Sequence, residues 1–208
     1  MAKVYEFDGV RPVVHPSAYV HPSAVLIGDV LVGPRCYIGP TACLRGDFNR
    51  LILEEGVNFQ DGCVMHGFPG GDTIVESYGH IGHGAILHGC RIGRNAMVGM
   101  SAIVMDNAVV GDEALVAAMA FVKKGQVVPP RALVAGVPAQ VVRYLGDDEV
   151  RRKTLGTEAY QHLAAASLRT MREVESLAEP EPGRRPPAFS LESHARLGGG
   201  ARGPSQAA

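Results

Sequence analysis

The chain has 208 residues, 20 basic and 21 acidic side chains and a net charge of −1, with no Lys/Arg run to mark a nucleic-acid or membrane-binding patch. No apolar run approaches the ~20 residues of a membrane span. The N-terminus, MAKVYEFDGV, lacks a signal-peptide core. Four cysteines (Cys36, Cys43, Cys63, Cys90) without paired spacing suit free thiols in a cytoplasmic setting.

From the N-terminus onward the dominant signal is a repeat of six. Aliphatic residues fall at Val14, Val20, Leu26, Val32, Ile38 and Leu44, each followed four residues later by a mostly small one such as Ala18, Ala24, Cys36 or Ala42. The beat returns at Leu53, Phe59 and Met65, then at Val75, Ile81 and Leu87, and runs from Ile92 to Val134. Six is neither the 3.6 of a helix nor a plain alternation of two. Each hexad reads as a short strand and a turn, and successive coils stack at the ~4.8 Å of hydrogen-bonded strands. The expected fold is an all-β solenoid. The [LIV]-G-x-x-[small]-x beat resembles the hexapeptide-repeat family, which implies a left-handed parallel β-helix with three hexads per coil, usually assembled as a homotrimer.

The solenoid is expected over 1–145. Gly146-Asp147-Asp148 then signals a helix start, Gly156-Thr157 a possible stop and recap, and Tyr160, Leu163, Ala164, Met171 and Val174 one apolar face. This defines a C-terminal α-helix segment, 146–177. Residues 178–208, rich in Pro and Gly, read as a disordered tail.

Four of the eight histidines crowd into residues 58–90: His66, His80, His83 and His88. With three hexads per coil, Leu26, Leu44, Met65, Leu87, Val104 and Val122 share one face. The next residues, Arg45, His66, His88 and Met105, then line its outside, with His66 and His88 on adjacent coils. His83 falls on the preceding face, above Asp61. A rigid prism cannot turn it toward the other two, but a neighbouring subunit could supply it at a trimer interface. Three imidazoles with an open fourth position suit catalytic Zn2+, with iron or cobalt also possible. His80 reads as a bystander or a supporting group, and His15, His21, His162 and His194 as polar surface.

The run RGDFNRLIL…NFQDGCVMH…IGHGAILHG resembles the γ-class carbonic anhydrase family. The resemblance implies that His66, His83 and His88 bind the metal, His83 coming from across the interface. It also implies an intersubunit salt bridge between Arg45 and Asp47, and active-site roles for Gln60 and Asp61. VHPSAVLIGDV, CVMHGFP, GHIGH, AILHGC, NAMVGM, EAYQHL and EPGR are similar to the phenylacetic acid degradation branch of that family, itself close to a carnitine-operon branch, over about residues 3 to 185. This implies a metal-dependent thioesterase in which zinc-activated hydroxide cleaves an acyl-CoA. Gln60 and Tyr160 would orient water or substrate, and Phe68 and Pro69 would form an apolar substrate rim. The loop Gly67-Phe68-Pro69-Gly70-Gly71-Asp72 holds no glutamate, which weighs against efficient CO2 hydration. A true γ-carbonic anhydrase, a hexapeptide acyltransferase and a non-catalytic trimeric scaffold are the competing readings.

Overall fold

The structure is a computed structural model and describes residues 2–187 and 189. It is a parallel β-solenoid of about seven coils followed by a single helix. Three faces build each coil. On the first, Val4, Leu26, Leu44, Met65, Leu87, Val104 and Val122 lie side by side in parallel register. Two long strands, Val25–Val32 and Cys43–Leu53, continue round the corner onto the second face. Their pairing shifts between Gly28 and Val30, where the three extra residues of the second strand are absorbed. The third face stacks Tyr19–Val20, Tyr37–Ile38, Asn58–Phe59, His80–Ile81, Met97–Val98, Leu115–Val116 and Ala132–Ala135. Gln140–Tyr144 then turns back antiparallel and ends the ladder.

The hexad works because each position has one fixed environment. The aliphatic residue and the small residue both point inward and are fully buried, as at Leu87, Ala102, Val104 and Ala108. The core is therefore a column made mostly of Val, Leu, Ile and Ala, with Phe59, Met65, Cys36, Cys63 and Cys90 among them. Immediately before many of the small residues the chain takes a left-handed conformation: Asn95, Ser101, Asn107, Glu113, Met119 and Arg131 all have φ between 52° and 60°. Non-glycine residues occupy these corners at a cost of about 1 kcal/mol or more each. The stacked coil above and below enforces the conformation. Many glycines serve a different need. A Cβ at Gly99 would stand 2.5 Å from the backbone nitrogen of Ala118 on the next coil.

The helix is Asp147–Thr170, unbroken through Gly156-Thr157, so the expected stop there does not occur. Asp147, Asp148 and Glu149 occupy its first turn, where acidic side chains complement the positive end of the helix dipole. Thr157 is fully buried against the solenoid and contributes to anchoring the helix where the break was expected. Val150, Thr157, Ala164 and Ser167 form its buried side. Tyr160, Leu163 and Ala164 pack on Tyr19 and Tyr37 of the third face. Met171 follows the helix and receives the Tyr19 hydroxyl at 2.6 Å, whereas Val174 stays exposed. Residues 171–187 carry no helix or strand. Most of the expected tail, and His194, lie outside the described residues. Among the described residues no helix is long and apolar enough to cross a membrane.

Candidate metal centre

On the first face the strands Val64–His66 and Ile86–His88 pair with His66 directly beside His88. Their inward neighbours, Met65 and Leu87, are fully buried and clamp the backbone that carries both imidazoles. His66 Nε2 lies 2.8 Å from Asp47 Oδ1, and His88 Nδ1 bonds Asp106 Oδ1. With both rings neutral, each carboxylate accepts an N–H, and the remaining nitrogens, His66 Nδ1 and His88 Nε2, carry lone pairs. These two nitrogens face each other 3.3 Å apart. Two nitrogens bound at 2.0–2.1 Å to a tetrahedral ion also stand about 3.3 Å apart. Facing lone pairs repel, and a cation between them removes the repulsion. The donor set fits a zinc-type ion.

Asp47 is fixed from two sides, since Arg45 Nη1 lies 2.6 Å from its Oδ2 within the same chain. Burial alone would raise the Asp47 pKa, but the hydrogen bonds from Arg45 and His66 outweigh it and hold the carboxyl below its ordinary value. The Phe48 ring packs 5.4 Å from the His66 ring. After His66 the loop folds back so that Phe68 lies over Gly89, whose missing side chain leaves room for both that ring and Asp106. Pro69 is exposed at the rim.

The third face holds the other predicted residues. His83 Nδ1 is 2.9 Å from Asp61 Oδ2, in the column predicted from the repeat. Gln60, only 2% exposed, donates to Asn58 Oδ1 at 2.7 Å and lies 2.9 Å from His80 Nε2. His80 Nδ1 reaches Thr157 of the helix at 3.3 Å. Burial, then the charges of Lys153 and His83, push the His80 pKa down to about 4. Lys153 Nζ is itself buried with no hydrogen-bond partner, and burial pushes it down to about 7. Tyr160 packs edge-on against His80 at 5.5 Å and against Tyr37 at 5.4 Å. The structure thus brings His66 and His88 together, brings Gln60 and Tyr160 together around His80, and leaves His83 on a different face from the first pair. Within one chain, the described residues form no group of three His, Cys, Asp or Glu arranged for an ion.

Sequence reasoning missed Asp106, Phe48 and the importance of His80. Asp106 is legible only through the repeat, which stacks Met105 beside His88 and so puts Asp106 one position further on, beside Gly89 and within reach of the ring.

Fold and site define a class: a hexapeptide-repeat solenoid with carboxylate-held imidazoles on two of its faces. Residues 89–124 match the bacterial transferase hexapeptide (six repeats) family. The carnitine operon protein CaiE of Citrobacter koseri is 59% identical over 180 residues, 86% of this chain and 91% of that protein. CaiE of Escherichia coli K12 is 56% identical over 180 residues, with 86% and 92% covered. The chain belongs to the CaiE family of hexapeptide-repeat proteins. Among solved structures, a hexapeptide transferase family protein from Anaplasma phagocytophilum has a TM-score of 0.76 at 36% identity, covering 79% of this chain and 97% of that one. A Bacillus cereus protein described as an acetyltransferase has 0.78 at 32%, covering 79% and 96%.

These likenesses correct the expected function. The relatives carry the carnitine operon name, and the solved neighbours are described as a hexapeptide transferase and an acetyltransferase. They do not support a zinc thioesterase of phenylacetate catabolism. The relatives show the CaiE family of hexapeptide-repeat proteins and do not show the phenylacetic acid degradation branch.

Proposed function

We propose that the chain is a metal-dependent acyl-group transferase of carnitine metabolism, active as a homotrimer, with His66 and His88 of one copy and His83 of a neighbour holding the ion. The observation that carries the metal reading is the pair of facing imidazole nitrogens 3.3 Å apart, each ring fixed through its other nitrogen by a carboxylate. Zinc bound by three imidazoles keeps a fourth position for a carbonyl or a water, polarising the one and acidifying the other.

The chain's own residues divide the remaining work. Asp47 and Asp106 keep protons on His66 Nε2 and His88 Nδ1, which leaves the opposite nitrogens as ligands. Asp61 does the same from His83 Nδ1. Phe48, Phe68 and Pro69 give the rim an apolar surface suited to an acyl chain. Gln60 offers a polar group to the attacking hydroxyl. The transferase reading draws on the solved neighbours described as a transferase and an acetyltransferase, and the carnitine setting on the CaiE relatives. A CoA thioester is the donor we propose.

Assembly is supported by an outward apolar stripe beside the imidazoles. Cys43, Val64, Ile86, Ile103 and Phe121 stack in register two positions before the histidine column. Val64 and Ile86 are exposed. Met100, stacked next to His83, is 56% exposed. Apolar surface flanking each half of the site suits burial against another copy.

The test combines metal analysis of purified protein with transfer assays using acetyl-CoA and carnitine-type acceptors. One ion per chain and turnover lost together in His88→Ala are expected. A metal-free preparation with full transfer activity would overturn the metal assignment. The three-imidazole set also favours a second reading, γ-type CO2 hydration, which stopped-flow assays on the same protein decide.

A further inference from the structure

The geometry points to His80 as a positioning residue that, anchored by the C-terminal helix, fixes which side of the Gln60 amide the site meets. The inference rests on the reading above, in which Gln60 borders the reacting groups.

Gln60 Nε2 has two hydrogens, directed at Asn58 Oδ1 (2.7 Å) and at His80 Nε2 (2.9 Å). Accepting one of them requires His80 Nε2 to be a lone pair, so the imidazole proton sits on Nδ1. Nδ1–H then donates to Thr157 Oγ1 at 3.3 Å, and the Thr157 hydroxyl donates to the Lys153 carbonyl at 3.4 Å. Every bond in the chain Gln60, His80, Thr157, Lys153 runs in one direction and ends on a helix carbonyl. Turning the Gln60 amide over would aim its oxygen at the Asn58 oxygen and the His80 lone pair. With the Asn58 amide and the His80 proton held as placed, two bonds would become two repulsions at a residue that is 2% exposed, and Asn58 Nδ2 has no hydrogen-bond partner of its own.

Both amide hydrogens are therefore spent, and what Gln60 can offer a ligand is its carbonyl oxygen. That oxygen accepts and cannot donate. It selects a hydroxyl or an N–H on the reacting partner, as an alcohol acceptor or a water provides, and discriminates against a carbonyl or carboxylate oxygen at that position. The helix thereby becomes part of the site. Thr157, at the point where the sequence suggests a break, holds the ring that holds the amide.

The test uses the full chain. In 15N-labelled wild-type protein, His80 should show the Nδ1–H tautomer, and the Gln60 side-chain amide should give two resolved, slowly exchanging protons. His80→Phe should release one of them and lower kcat about tenfold, the size expected for roughly 1.4 kcal/mol of lost orientation, with KM within twofold. Its metal content should be unchanged. His80→Gln, which returns an acceptor, should restore most of kcat. An Nε2–H tautomer in the wild type, or His80→Gln no better than His80→Phe, would overturn the assignment. Absence of bound metal and turnover in the wild type would instead defeat the functional reading, while the tautomer and amide signals would still decide the role of His80.

Discussion

The two halves of the candidate site are built by different means. On the first face, strand register alone places His66 beside His88, and their carboxylates come from neighbouring strands and turns of the same solenoid. On the third face, the helix lies over Asn58, Gln60 and His80 and joins the hydrogen bonds that fix them. The first half lies on an exposed face, with two carboxylate-held imidazole nitrogens facing each other at 3.3 Å. The second is drier, and its imidazole is held neutral by burial. A repeat fold places groups through the spacing of its coils; an appended helix sets their orientation and dielectric.

The largest expected effect strikes the first half. His88→Ala should lose bound metal and at least a thousandfold in kcat, given the scale of transition-state terms a metal supplies. A folded variant with intact metal content would break the division between the halves at once. Next comes the scaffold beneath. Leu87 is fully buried, so Leu87→Ala should cost about 2–5 kcal/mol in denaturant unfolding. A cost under 1 kcal/mol would mean that the coil tolerates slippage where the proposed ligands sit. Asp106→Asn should then weaken metal affinity about 10–100-fold in a competition titration, as loss of a ligand's carboxylate partner does. An unchanged affinity would remove Asp106 from the site.

The second half has its own signature in acid. His80 is held below its ordinary pKa, at about 4, so the unfolded chain binds a proton that the folded chain refuses. Its stabilising contribution is complete above the unfolded value near 6.5 and is lost as pH falls from there toward 4. Unfolding free energy should decline across that window by up to about 1.4 kcal/mol per pH unit. His80→Phe should flatten the dependence, and an identical slope in the variant would place the group elsewhere. The smallest effect is a gain. A Cβ at Gly156 meets nothing within 4 Å, so Gly156→Ala should raise stability by up to about 1 kcal/mol in thermal unfolding. A loss would show that the helix needs its glycine for docking.

Much of the first half was legible because a six-residue period is arithmetic. Leu26, Leu44, Met65, Leu87, Val104 and Val122 share a face, as counting predicts once three extra residues between Leu44 and Leu53, four between Met65 and Val75 and one missing between Leu87 and Ile92 are allowed for. Once they do, His66 must neighbour His88, and His83 must fall above Asp61. The second half was not legible in this way. Gly156-Thr157 looks like a helix break by propensity, yet buried contacts carry the helix through it and make Thr157 an anchor. His80 looks like a bystander because nothing local to Gly79-His80-Ile81 shows that a helix 77 residues later will cover it. The functional assignment also erred through likeness: motifs shared by neighbouring branches do not separate their substrates, and the relatives pointed to carnitine rather than phenylacetate.

By itself, then, the sequence determined the solenoid, its coil register and the pairing of two imidazoles, since a strict period leaves each residue one face and one height. Only the tertiary structure decided which carboxylate holds which ring, that corner residues such as Asn95 and Glu113 accept left-handed φ, and that His80 stands neutral between Gln60 and Thr157. These depend on contacts between segments far apart in the chain. Burial and bond direction there are set by the partner, which a local pattern does not encode.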